Sequence, residues 1–148
     1  MSATRAFAVL SALCAALLTG PARADHQVLI VCAATSGMET ISSMELRKVF
    51  LSVPVTKADQ SIEGLRNLSD EHLNEIFLQT LVSMTARVYE RRLLTLTIQT
   101  GRPRPRTLDD IDAIVSLLKE NSNLITYMWS EDFHAAQGLK ILKVLWQD

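Results

Sequence analysis

The stretch Val-Leu-Ile-Val-Cys-Ala, residues 28–33, is apolar at every position and rich in β-branched side chains. A strand with one wet face alternates apolar and polar residues, so an unbroken run of this length reads as a strand buried on both faces. Burial on both faces needs a covering layer on each side, and helices supply it in α/β proteins. The small-residue loop that follows leads toward Ser42, which stands three residues before Glu45 at capping-box spacing. Met44, Val49, Phe50 and Leu51 then line one face of a short helix. The chain therefore opens as strand, loop, helix.

Around Pro54 the pattern lapses, and residues 61–67 hold a short second strand weakened by Gly64. Ser69 is placed to cap a helix over 70–82, with Asp70 and Glu71 in its first turn and Leu73, Ile76, Phe77 and Leu81 at helical spacing. A further helix over 85–98 directs Val88, Leu93 and Leu96 inward and Arg87, Arg91 and Arg92 outward, and Gly101 ends it. Thr107 is expected to start the next helix, whose stripe is Ile111, Ile114, Val115, Leu117 and Leu118. Residues 121–123 stop it, residues 124–129 form a strand, and a loop or single helical turn leads to a last strand from Leu139. Lys140 and Lys143 suit that strand to a sheet edge. The order argues for a single-domain three-layer α/β sandwich with a mixed sheet.

Ahead of this domain, an early positive charge (Arg5), an apolar run from Ala6 to Leu18 and the triplet Ala22-Arg23-Ala24 form the pattern of a secretory signal cleaved after Ala24. The run falls short of the roughly twenty apolar residues that a membrane-spanning helix needs. Residues 1–24 are thus expected to be a leader, and residues 25–148 a periplasmic domain. Loss of Arg5 and Arg23 reduces 15 basic residues to 13, and 13 against 16 acidic residues leaves a formal charge of −3. That balance lacks the positive field by which nucleic acid is captured. Cys32 would be the one cysteine left, so an internal disulfide is excluded, and its apolar setting reads as an inert buried thiol. His26, His72 and His134 are scattered, without the spacing of a metal site, and neither a cofactor motif nor a nucleophile with its base is present. Binding is the expected activity, not catalysis.

The densest chemistry lies in Gly-Arg-Pro-Arg-Pro-Arg-Thr, residues 101–107. Arg102, Arg104 and Arg106 offer planar donor forks beside an expected helix start, a combination able to hold an anion or an acidic partner. Asp109 and Asp110 compete for the same positive helix end. The other reading is a connection stiffened by prolines and solvated by arginines.

Three segments carry a resemblance: Ile-Ser-Ser-Met-Glu-Leu-Arg-Lys-Val-Phe-Leu from residue 41, Tyr-Glu-Arg-Arg-Leu-Leu running from residue 89 to the prolines after Gly101, and the segment from Asp109 to Trp129. In order and spacing they resemble the small relatives of periplasmic phosphate-binding proteins, the substrate-binding components of phosphate ABC transporters. The resemblance implies the type 2 periplasmic binding fold, and a chain of this length implies one lobe of it. It also implies reversible binding of phosphate or another small oxyanion, and an inner-membrane transporter or sensor protein as partner. Helix starts near Ser36, Ser42, Ser43 and Ser69 are the ligand-binding groups so implied. Members of the family open one helix with a Ser-Gly-Thr-Arg-type turn. Here Glu71 takes the place of that Ser, and Asn74 the place of that Arg. The alternative implied by this departure is a protein-interaction or sensory accessory on the same fold with a degenerate ligand site.

Overall fold

The computed structural model describes residues 26–148; the leader expected over residues 1–24 lies outside the described residues. In chain order the elements are β1 (Gln27–Ala33), α1 (Ser43–Phe50), β2 (Thr56–Lys57), β3 (Gln60–Ser61), β4 (Glu63–Asn67), α2 (Glu71–Ile76), α3 (Ala86–Thr100), β5 (Arg106–Leu108), α4 (Ile111–Glu120), β6 (Leu124–Trp129), α5 (Ser130–Ala135) and β7 (Leu139–Gln147). A π-helical segment, Phe77–Val82, continues α2 directly. Five strands form one sheet in the order β5-β4-β6-β1-β7, and β2 with β3 makes a separate hairpin. β1 runs antiparallel to both neighbours, whereas β4 runs parallel to β5 and β6. The sheet is mixed, and β7 with its two lysines lies at an edge, both as expected.

Two apolar clusters on opposite faces of the sheet make the three layers. Val28, Ile30 and Cys32 pack with Leu46, Phe50, Leu73, Phe77 and Tyr89 beneath α1, α2 and α3. Leu29 and Val31 point the other way, onto Leu65 and the Ile114 and Leu118 stripe of α4. Every residue of the 28–33 run is buried. Each fully buried Val, Leu or Ile side chain contributes roughly 1.5 to 3 kcal/mol, so this strand organises both cores.

Gly64 has a packing reason in β4. A Cβ added there would stand 2.9 Å from Cδ1 and Cε1 of Phe50. Its absence lets the Phe50 ring settle against the strand and meet Phe77 and Tyr127 edge to face.

Helix ends follow local chemistry, with corrections to the sequence reading, and Met44, expected on the apolar face of α1, is 69% exposed. Ser42 caps α1 in a complete capping box with Glu45, as expected, and Gly101 ends α3 at φ 70°. Asp70, not Ser69, caps α2: its carboxylate accepts from the Leu73 amide at 2.7 Å. Ser69 turns back instead, and its amide and hydroxyl both donate to Asn67 Oδ1. Thr107 does not begin a helix but lies in β5, paired in register with Arg66, and Asp110 caps α4. Backbone pairing to β4 wins over the capping option there, since an open sheet edge offers ladder bonds to whichever segment reaches it. Val88 is 49% exposed, not inward. The buried side of α3 is set by Tyr89 and Leu93, an i, i+4 pair one residue away.

Candidate functional site

Because β1 and β4 run in opposite directions, the loops that follow them leave from opposite ends of the sheet. The serines implied as ligand groups are divided accordingly. Ser36, Ser42 and Ser43 lie beyond the C-terminal end of β1, whereas Ser69 and Asn74 follow β4. Ser36 is buried, and its hydroxyl accepts from the Met38 amide. Ser42 is engaged by Glu45, and Ser43 is exposed in the first turn of α1. The structure does not gather the four serines at one place.

Helix starts are also claimed by the chain's own acids. Glu45, Glu71, Asp112, Glu131 and Asp132 stand in the first turns of α1, α2, α4 and α5. Burial, and then the charges of Glu131 and Asp70, raise the Asp132 carboxyl above its ordinary value. Glu131 and Asp70 thus add acidic charge around the start of α5, at this end of the sheet. Aromatic groups fill the same end: the His26 ring stacks on Trp129 at 3.9 Å while its Nδ1 bonds Glu131 at 2.8 Å.

Positive charge concentrates instead around Arg66, a residue that the sequence reading passed over. Alternation along β4 turns Gly64 and Arg66 to the face covered by α1, α2 and α3, and Leu65 to the face covered by α4. Arg66 is only 5% exposed, with its guanidinium carbon 4.8 Å from the Tyr89 ring centroid and 5.1 Å from that of Phe77. Its Nη2 donates to Asn74 Oδ1 at 2.7 Å, and its Nη1 donates to Glu90 Oε1 at 3.0 Å. The other oxygen of Glu90 accepts from Arg104 Nη1 at 3.2 Å. One carboxylate on α3 is therefore shared between a buried and an exposed guanidinium. Asn74, implied by the resemblance, belongs to this cluster, and so does Arg104 of the arginine loop.

Arg66 Nε and the Tyr127 hydroxyl are buried in the same cluster, and the phenol is set against the Arg66 side chain. Burial pushes the Tyr127 phenol up to about 12, against the charge of Arg66 and a hydrogen bond with its side chain. Burial raises Tyr89 as well, and its hydroxyl donates to the Phe50 carbonyl at 2.6 Å. Both phenols stay neutral through the physiological range, so the charges of the cluster are the two guanidinium groups and the Glu90 carboxylate between them.

Arg102 and Arg106, together with Arg104, line a groove of about 300 Å³ that Val49, Pro54 and Ile62 also line. The loop is held there by a bond from the Ser52 hydroxyl to the Pro103 carbonyl at 3.0 Å. Arg102 and Arg106 are exposed, and Glu63 shares the lining. Among the described residues no group of three or more His, Cys, Asp or Glu is placed to hold a metal ion. Nor is any described helix long and apolar enough to cross a membrane.

No family model and no curated protein matches the sequence. Solved structures do match the fold. A protein from Clostridium perfringens described as a phosphate ABC transporter substrate-binding protein, with bound phosphate, superposes at TM-score 0.60 and 13% identity over 80% of this chain and 45% of its own. An ABC-type phosphate transport receptor from Vibrio cholerae gives 0.57 and 11% over 80% and 46%. PstS from Borrelia burgdorferi gives 0.57 and 12% over 80% and 47%. The chain thus has the α/β fold of one lobe of the phosphate ABC transporter substrate-binding proteins, as the motifs implied. It spans less than half the length of each of these structures.

Proposed function

We propose that this chain is a periplasmic solute-binding protein that takes up a small oxyanion reversibly and without chemistry, around Arg66. The observation that carries the reading is the buried guanidinium itself. Glu90 and Asn74 accept from its two Nη groups, and it is joined to the arginine loop through the carboxylate it shares with Arg104. An arginine fork is the protein group best matched to planar or tetrahedral oxyanions, and it is strongest where water is excluded. Phosphate is the first ligand to test, because the proteins of like fold are phosphate-binding and phosphate-transport proteins. Under this reading residues 1–24 direct export, and a membrane transporter or a sensor protein receives the loaded domain.

A thermal-unfolding scan of the domain against phosphate, sulfate and other oxyanions at fixed ionic strength tests this reading. Ligand at about a hundred times its dissociation constant adds about 2.7 kcal/mol and raises the midpoint by roughly 8 °C or more. A midpoint unmoved by every oxyanion rejects it. The second reading, an accessory that meets a protein partner on the same fold, draws on a different observation. Asp70 and Glu71 occupy the start of α2, and Glu90 already neutralises Arg66.

A further inference from the structure

We propose that the side chain of Glu90 fills a carboxylate-binding site, and that the ligand class this site takes is a small carboxylate rather than phosphate. The inference deepens the solute-binding reading and rests on it for the wild-type chain. The geometry states the ligand's shape. Two oxygens of one planar group are engaged from two sides, Oε1 by Arg66 and Oε2 by Arg104, at 3.0 Å and 3.2 Å. Asn74 holds the far side of the Arg66 fork through its carbonyl oxygen. An acceptor at that position repels a further oxygen, so the fork presents one side to the ligand and not its whole rim.

The cluster is built at one end and displaceable at the other. Arg66 is enclosed and packed over Phe77 and Tyr89, whereas the Glu90 side chain is 52% exposed. A guanidinium has five N–H donors, of which Glu90 and Asn74 engage one each. The Tyr127 hydroxyl, enclosed with the fork, lies against the Arg66 side chain and backs the site. Glu90 reaches the fork from its backbone on α3, so its approach is fixed by that tether. A free carboxylate has no such tether. Glu90 then acts as a resident competitor, and the apparent affinity for an external anion falls by the fraction of molecules in which the site is open.

Thermal unfolding of wild type, Glu90→Ala and Glu90→Gln, each titrated with sodium acetate, formate or phosphate against chloride at constant ionic strength, tests this. Glu90→Ala is expected to melt lower in chloride and to recover saturably in acetate or formate. Its apparent affinity should be at least about tenfold tighter than that of wild type, the resident competitor being gone. Glu90→Gln keeps one acceptor for Arg66 and is read in place of Glu90→Ala if the latter is unfolded in chloride; recovery of a cooperative melt on adding acetate also counts in favour. Rescue of the variants with no response of wild type supports the site and rejects solute binding by the wild-type chain. A phosphate shift equal in wild type and variants keeps solute binding, places it elsewhere, and overturns the inference. Rescue by phosphate without rescue by acetate or formate overturns the ligand class, and no rescue by any anion overturns the site.

Discussion

The chain places arginine in two settings that differ in almost every physical respect. Arg102 and Arg106 stand close together in sequence, one before Pro103 and one after Pro105, exposed on a groove. Arg66 stands alone in a strand, enclosed by two aromatic rings and held by residues 8 and 24 positions away. A local concentration of charge in the sequence marks a solvated surface, where water and salt screen each charge. The single arginine carries more consequence, because the fold has removed its water and must supply what water did.

The largest expected effect falls on the partner of the buried charge. Glu90→Ala leaves the Arg66 guanidinium enclosed and uncompensated, at a cost of about 2 to 3 kcal/mol, less than for a fully enclosed pair because Glu90 is half exposed. The midpoint should fall by roughly 10 °C in chloride buffer. Arg66→Met should cost only about 1 kcal/mol, since the apolar chain keeps the aromatic packing and Glu90 is released to water and Arg104. Equal losses in the two variants would place the energy in the pair contact, not in the enclosed charge, and would break the comparison.

The strand that presents Arg66 supplies the next test. Gly64→Ala puts a methyl group 2.9 Å from the Phe50 ring, and Phe50 packs on Phe77, over which Arg66 lies. A cost of about 1 to 3 kcal/mol is expected from denaturant melts, as for other overpacked cores. A neutral result would mean that β4 yields easily and does not fix the guanidinium.

This contrast also explains what was legible in the sequence. The twice-buried β1, the Ser42 and Glu45 box and the Gly101 stop follow from residues within a few positions of one another, and the mixed sheet from the order of the elements. Ser69 and Asp70 are both good caps one residue apart, and tertiary bonding of Ser69 to Asn67 decided between them. Thr107 became a strand residue because β4 lay within reach, a fact that no local window holds. The π-helical segment left no pattern distinct from an α-helix. Arg66 and Glu90 belong to different elements, and each read alone as an ordinary charged residue. One signal was available: Arg66 alternates with Leu65 in a strand whose other face is apolar, and it shares Gly64's side of that strand.

A surface pair sharpens the comparison from the exposed side. The His26 hydrogen bond is the main cause that lowers the Glu131 carboxyl below its ordinary value. A carboxyl lowered in the folded state contributes stability above its unfolded pKa and loses it as pH falls through the folded value. Wild type should therefore lose some stability on acidification through about pH 4 and below. His26→Ala should flatten that part of the curve without moving the neutral-pH loss caused by Glu90→Ala. An unchanged acid limb would remove Glu131 as a contributor.

The smallest effect is expected where the sequence is most highly charged. Arg102→Ala and Arg106→Ala remove exposed guanidinium groups for which the structure shows neither an enclosed contact nor an ion pair among the described residues. Exposed substitutions of this kind stay within about 0.5 kcal/mol, and the prolines that stiffen the connection are untouched. Guanidinium melts of the two variants and wild type should superpose within that range. A loss above about 1 kcal/mol in either would show that the loop's charge is used by the fold. The distinction between an enclosed arginine that matters and exposed ones that do not would then fail at its simpler end.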